Sequence, residues 1–282
     1  MTTWQDYTAN RTQHSVVGDL RVYATLYSPQ LDNTRNVLVW LPPSYAQGER
    51  RYPVLYMHDG DNLFDSFTSF VGEWQVDETL TALGAEGYEA IVVGLPVSGA
   101  DRLKEYNPFR SATEVRWDGR GAAYIDFIVD TVKPLIDQDF RTQPDAANTG
   151  LAGSSMGGLI SLYGFLTRQD VFGLCGAFSP AYWFGKNGLR ETVREQARGT
   201  GKIYLDVGTQ EGSTLSRWVN SNIDPNRLYM EGVRELRDDL LSHGYELSRS
   251  LLYVEEEGAA HREDAWARRL PGALRFLLGR LG

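Results

Sequence analysis

Gly153-Ser154-Ser155-Met156-Gly157 closes a short apolar run, Thr149-Gly150-Leu151-Ala152, and passes straight into Leu159-Ile160-Ser161-Leu162-Tyr163, which reads as a helix. A G-x-S-x-G pattern at a strand-to-helix junction is the setting in which a serine becomes a nucleophile. The turn is so sharp that the serine sits at strained backbone angles, and a side chain two residues before or after it would collide. The strain projects Ser155 Oγ beyond the strand end. The helix N-terminus and the Met156 N–H then stand where an oxyanion would develop. With 29 glycines in the chain the bare pattern can arise by chance; the strand before it and the helix after it give it meaning.

A serine hydroxyl is a poor nucleophile near neutral pH, so it needs a base, and the base needs an orienting carboxylate. In the chain order that goes with this turn, acid and histidine follow the serine. Of the four histidines, His14 and His58 precede Ser155, leaving His243 and His261. His243 lies in Ser242-His243-Gly244, a helix C-cap pattern in which an imidazolium serves the dipole. His261 follows the strand Leu251 to Val254 and the loop Glu255 to Ala260, just before a closing helix, and is the preferred base. For the acid, the strand Lys202 to Val207 leads into Gly208-Thr209-Gln210-Glu211-Gly212. Glu211 is preferred there, while Asp206, inside the strand, is expected to hold a loop by hydrogen bonds. The second oxyanion donor is expected after the strand Pro53 to Met57, where Gly60 permits close approach and the N–H of Asp61 or of Gly60 can join that of Met156. His58, in the same loop, is expected to brace it.

These residues need elements to carry them. Leu20 to Tyr27 and Asn36 to Leu41 read as leading strands, the second stopped by Pro42-Pro43. Pro53 to Met57 and Ala90 to Leu95 are apolar runs suited to strands buried on both faces. Helical spacing appears over Val76 to Leu83, over Ala122 to Ile136 with an end near Pro134, over Arg227 to Ser242 and from about Asp264 to Leu278. Strands alternating with helices predict an α/β fold: a mostly parallel central sheet, helices on both faces and an antiparallel N-terminal edge. A chain of 282 residues that is 42% hydrophobic can bury one large core. We expect a single domain over 1–282 with an N-terminal arm over 1–17. Segments 182–198 and 212–227 look irregular, carry Trp183, Phe184, Arg217 and Trp218, and are candidate walls or caps over the serine.

The net charge of −9 argues against nucleic acid or an acidic membrane as partner. No run is long enough to span a bilayer, and Met1-Thr2-Thr3-Trp4-Gln5-Asp6 does not begin a secretion signal, so a cytoplasmic location is expected. The one cysteine, Cys175, lies in an apolar run and is expected to be a buried structural thiol. No metal-ligand cluster is evident, and the chemistry calls for no metal or cofactor.

The chain resembles the esterase family of α/β-hydrolases that includes enterochelin-type siderophore esterases, feruloyl and acetyl xylan esterases, S-formylglutathione hydrolase and the mycolyltransferases. The matching pieces include Val39-Trp40-Leu41-Pro42-Pro43-Ser44-Tyr45, Tyr52 to Gly60, Gly72-Glu73-Trp74-Gln75-Val76-Asp77, and Arg102 with Glu105-Tyr106-Asn107-Pro108. Further on come Gly153 to Leu159, Ser179-Pro180-Ala181-Tyr182-Trp183, Asp206 to Glu211, and Ala259-Ala260-His261-Arg262-Glu263 with Trp266. The resemblance implies an α/β-hydrolase fold with Ser155 as nucleophile, Glu211 as acid and His261 as base, and the Asp61 and Met156 N–H groups as oxyanion hole. It also implies that Asp59, Trp74, Asp77, Arg102, Glu105 and Tyr106 line or brace the cleft. The family's frequent Gly-Gly-His is here Ala259-Ala260-His261, which keeps the base but could stiffen its loop. The expected activity is hydrolysis of a small-molecule acyl, aryl or siderophore-type ester. An acyltransferase with the same triad, or a non-catalytic binding protein on the same fold, are the rivals. A siderophore lactone is open among substrates, whereas the cysteine near the oxyanion loop that S-formylglutathione hydrolase carries has no counterpart.

Overall fold

A computed structural model of the chain describes residues 3–97, 101–109, 119–214 and 224–279. The strands are β1 (Gln5–Asp6), β2 (Asp19–Ser28), β3 (Asn33–Leu41), β4 (Val54–His58), β5 (Ile91–Leu95), β6 (Thr149–Ser154), β7 (Leu174–Phe178), β8 (Lys202–Gln210) and β9 (Leu251–Ala260). They form one nine-stranded sheet in the order β1-β2-β3-β5-β4-β6-β7-β8-β9. The first three strands and β5 pair antiparallel, and from β5 to β9 every neighbour is parallel. This is the expected mostly parallel sheet with an antiparallel N-terminal edge. The unbroken apolar runs account for its centre: β4, β5, β6 and β7 are buried at every position. Each Val, Leu or Ile placed there contributes about 1.5–3 kcal/mol by leaving water.

Helices cover both faces. On one lie α1 (Val76–Gly84) and the closing helix α8 (Glu263–Leu278), which bury Leu80, Leu83, Trp266, Leu270 and Leu274 against the sheet. On the other lie α3 (Gly121–Phe127), α4 (Lys133–Asp139), α5 (Met156–Thr167), α6 (Tyr182–Glu195) and α7 (Pro225–Ser242). The short α2 (Arg102–Glu105) follows β5. Helix α5 is apolar on all sides and buried almost throughout, as a helix without a polar face must be. Strand β4 lies between β5 and β6, so the chain moves one way to β5 and then back across β4 to β6. Ligands in open α/β sheets bind outside the strand C-termini at such a reversal. The loops leaving β4 and β6 are those that carry Asp61 and Ser155.

Four expectations need correction. The helix expected over Ala122 to Ile136 does not stop near Pro134. A π-turn over Ile128–Val132 separates α3 from α4, with the Lys133 N–H bonded back to the Ile128 carbonyl. Proline lacks the N–H that a continuous α-helix would use, and the widened turn lets the chain pass it and run on to Asp139. Strands β8 and β9 outlast their apolar stretches and stay paired as far as Gln210 and Ala260, so Glu255 to Ala260 is strand where a loop was expected. An edge strand tolerates glutamates on its open side, which hides it from an apolar pattern. Segment 182–198 is mostly the helix α6: Leu189 and Val193, four apart, are buried and hold it despite a break at Gly185. In segment 212–227, Gly212–Thr214 forms a 3-10 turn and α7 starts at Pro225; Arg217 and Trp218 lie outside the described residues. The N-terminal arm contributes β1 and is tied down by Ser15 and Val17.

Candidate active site

Ser155 sits between β6 and α5 at φ 57°, ψ −119°. Such a conformation costs a non-glycine residue about 1–3 kcal/mol and persists only where the surroundings dictate it. Here the turn after β7 dictates it. The Ser155 N–H donates to the Phe178 carbonyl at 3.0 Å, and the Ala181 N–H donates to the Ser155 carbonyl at 2.9 Å. A Cβ at position 153 would lie 2.9 Å from His58 Cδ2 and 3.1 Å from the Gly157 backbone, so only glycine fits. The demand is milder at Gly157, where a Cβ would lie 3.4 Å from that of His58.

His261 follows the end of β9, and its Nδ1 is 2.8 Å from Glu211 Oε2. Glu211 is wholly buried and the His261 side chain is only 6% exposed, so little water competes for the contact. Glu211 Oε1 accepts the Ser179 hydroxyl at 2.6 Å and the Gly208 N–H. The edge of Trp266 meets the His261 ring, with centroids 5.0 Å apart at 87°. Tyr229, from α7, joins this pair to the turn that carries Ser155. Its ring lies 5.3 Å from His261, its hydroxyl donates to the Ser179 carbonyl at 2.7 Å, and its phenol lies beside the Ser155 side chain. Burial holds the Tyr229 phenol far above its usual range, so it stays protonated.

Asp206 and Glu211 are brought close together and do different things. Asp206 accepts the Ser179 N–H at 2.8 Å and the Tyr204 hydroxyl at 2.9 Å, and pairs with Arg269 Nε at 2.8 Å. Burial pushes its carboxyl up to about 6, against the pull of Arg269. Its contacts tie down the turn after β7, and the carboxylate in contact with His261 is that of Glu211.

After β4, Asp59 adopts a left-handed conformation and a 3-10 turn follows over Gly60–Asn62. A Cβ on Gly60 would lie 2.6–2.8 Å from Pro96 and the Gly94 carbonyl carbon, so the loop presses on the neighbouring strand end as only glycine allows. Among the described residues, neither the Asp61 nor the Met156 N–H donates to a protein acceptor. The loop abuts the start of α5, since a Cβ on Gly157 would be 3.6 Å from Asp59 Oδ2. His58 lies beneath, with Nδ1 2.9 Å from the Tyr124 hydroxyl; burial lowers it to about 3, so it is neutral and braces the loop.

The other residues implied by resemblance fall into two groups. Asp59 forms a two-point ion pair with Arg102 (2.7 and 2.8 Å), and Arg102 lies over the ring of Tyr106. The Tyr106 hydroxyl accepts the Asp59 N–H at 3.0 Å, so these three shape the rim of the loop. Trp74 is buried against Phe178 and against Trp266, which in turn meets His261, and Trp183 is half-buried near Tyr229. Asp77 and Glu105 face elsewhere. Asp77 accepts the Val17 N–H at 2.6 Å, anchoring the N-terminal arm, and Glu105 pairs with buried Arg35 at 2.8 Å. Cys175 is buried in β7, and burial raises its thiol far above its usual range. His243 caps α7. Tyr229 and Arg269 escaped the sequence reading. Arg269 lies three residues after Trp266 on one helix, hence on one face with it, and that spacing was the available signal.

The family model described as "Putative esterase" matches residues 28–277. The siderophore triacetylfusarinine C esterase of Aspergillus fumigatus is 25% identical over 233 residues, 76% of this chain and 77% of that protein. The crystal structure of the BES protein from Bacillus cereus superposes with a TM-score of 0.72 at 21% identity, covering 96% of this chain and 98% of that one. That of the enterobactin esterase from Shigella flexneri with enterobactin gives 0.69 at 19%, over 95% of this chain and 59% of that one. No helix among the described residues is long and apolar enough to cross a membrane. With its α/β-hydrolase sheet and a family match that spans most of its length, the chain belongs to this esterase family and is a carboxylic-ester hydrolase.

Proposed function

We propose that the chain is a serine esterase acting through an acyl-enzyme, with Ser155 as nucleophile, His261 as base and Glu211 as the acid that orients it. The observation that carries the reading is the buried 2.8 Å contact of His261 Nδ1 with Glu211 Oε2, linked through Tyr229 to a serine held at φ 57°. With Nδ1 engaged by the carboxylate, Nε2 is the nitrogen left to take the Ser155 proton as Oγ attacks the ester carbonyl. The Asp61 and Met156 N–H groups receive the oxyanion, His261 returns the proton to the leaving alcohol, and water repeats the sequence on the acyl-enzyme. No cofactor enters this scheme. The relatives named for siderophore esters, and the aromatic surroundings of Trp183 and Tyr229, favour small acyl, aryl or siderophore-type esters.

Hydrolysis of p-nitrophenyl acetate, butyrate and octanoate by wild type and Ser155→Ala tests the assignment. The variant is expected to lose about 10^3-fold or more in kcat with its fold intact. Retention of most of the activity would sink it, and the chain-length profile reports the depth of the acyl pocket.

A further inference from the structure

Ser179 follows β7 and is wholly buried at φ 41°, a left-handed conformation that favours glycine. Yet its hydroxyl is fully used. A serine hydroxyl has one proton to give and two lone pairs to receive with. Trp266 Nε1–H reaches Ser179 Oγ at 2.9 Å and an Arg269 Nη2–H at 3.0 Å. Neither group can accept a hydrogen bond, so both lone pairs are taken and the proton points to Glu211 Oε1 at 2.6 Å. The Ser179 N–H binds Asp206, and its carbonyl takes the Tyr229 proton, which holds the phenol beside Ser155. Phe178 just before it and Ala181 two residues after it hold the Ser155 backbone.

We infer that Ser179 is a positioning residue for the reaction: its hydroxyl, locked by Trp266 and Arg269, fixes the Glu211 carboxylate that orients His261, while its carbonyl fixes the Tyr229 phenol beside Ser155. One residue thereby sets the acid–base pair and the nucleophile in register. The inference rests on the Ser155–His261–Glu211 reading. Among the described residues, the titratable and charged groups that face Glu211 include His261 after β9, Arg269 on α8 with Nη2 3.8 Å away, Asp206 on β8 and Tyr229 on α7. Of the hydrogen bonds around Ser179, removing its hydroxyl deletes only those made by Oγ.

Ser179→Gly is the test, because glycine keeps the left-handed backbone, the N–H and the carbonyl, and loses the hydroxyl alone. We expect kcat to fall about 10-fold to 100-fold with KM nearly unchanged, the loss of one hydrogen bond to a charged group. The acidic limb of the kcat/KM profile should move to higher pH, since the undiluted charge of Glu211 then favours the imidazolium. The low-field proton NMR resonance of His261 Nδ1–H should shift as well, a response that a merely structural serine would not give. Ser179→Cys, nearly isosteric with a weak S–H donor, should change all three in the same direction by less. It also keeps the test open should glycine destabilise the fold. If either folded variant keeps wild-type kcat, pH limb and resonance while Ser155→Ala is inactive, Ser179 has no such role and the esterase mechanism stands. If Ser155→Ala is active, the triad reading falls and this inference with it.

Discussion

Two carboxylates, both wholly buried, meet at the end of β8, and their neighbours divide the work. Asp206 is neutralised by Arg269 and its remaining capacity goes to Ser179 and Tyr204, whereas Glu211 turns one oxygen to His261. Glu211→Gln should therefore lower kcat by about 10-fold to 100-fold, less than His261→Ala, because glutamine can still accept from Nδ1–H but no longer stabilises the imidazolium. Asp206→Asn should act on stability instead, by about 1–3 kcal/mol in urea unfolding, through the weakened pair with Arg269. A greater loss of kcat in Asp206→Asn than in Glu211→Gln would reverse the assignment. At this scale the sequence was most legible where a residue stands at an element junction: Ser155 after β6, Glu211 after β8, His261 after β9. Tyr229 and Arg269 lie inside helices, and only the tertiary packing of α7 and α8 against the β7 turn gives them their partners.

Among elements, the N-terminus of α1 holds an arrangement that spacing did not disclose. Glu73, Asp77 and Glu78 converge to within 4.8 Å, and Ser15 and Val17 of the N-terminal arm bind to Glu73 and Asp77. Burial, with the neighbouring Glu78, raises Asp77 to about 8 and Glu73 to about 7. The sign follows from proton counting. Between about pH 4 and pH 8 the folded protein holds protons that the unfolded chain has released, so stability falls as pH rises through that window. Wild type should melt at progressively lower temperature from pH 5 to pH 9. Asp77→Asn, whose amide supplies permanently the hydrogen that the acid must retain, should flatten that decline by about 5 °C or more. An unchanged slope in differential scanning fluorimetry would refute it. Most elements were readable because period and punctuation agreed. The exceptions have separate causes: Pro134 reads as a stop unless a π-turn is foreseen, Gly185 and Gly188 disguise α6, and glutamates disguise the second half of β9.

For the whole molecule, the legible part was the alternation of strand and helix, which dictates a parallel sheet between two helical layers. Strand order was not legible, since no local signal tells β4 to lie between β5 and β6, and that reversal sets the loops that leave β4 and β6 side by side. The sheet also places its components unequally. Ser155 follows a central strand flanked on both sides, but His261 follows β9, which among the described strands pairs with β8 alone. An outermost strand with solvent-exposed Glu257 and Gly258 has fewer contacts to lose, and regions of that kind open in excursions far cheaper than global unfolding. Hydrogen exchange should accordingly find the amides of Glu255 to Ala260 swapping before those of β6 and β7, and on gentle warming ester hydrolysis should fade before far-UV ellipticity does. Coincident loss of the two signals would show that β9 melts with the core. The expected behaviour is a reversible thermal inactivation in which His261 swings away from Ser155 while the rest of the protein remains folded.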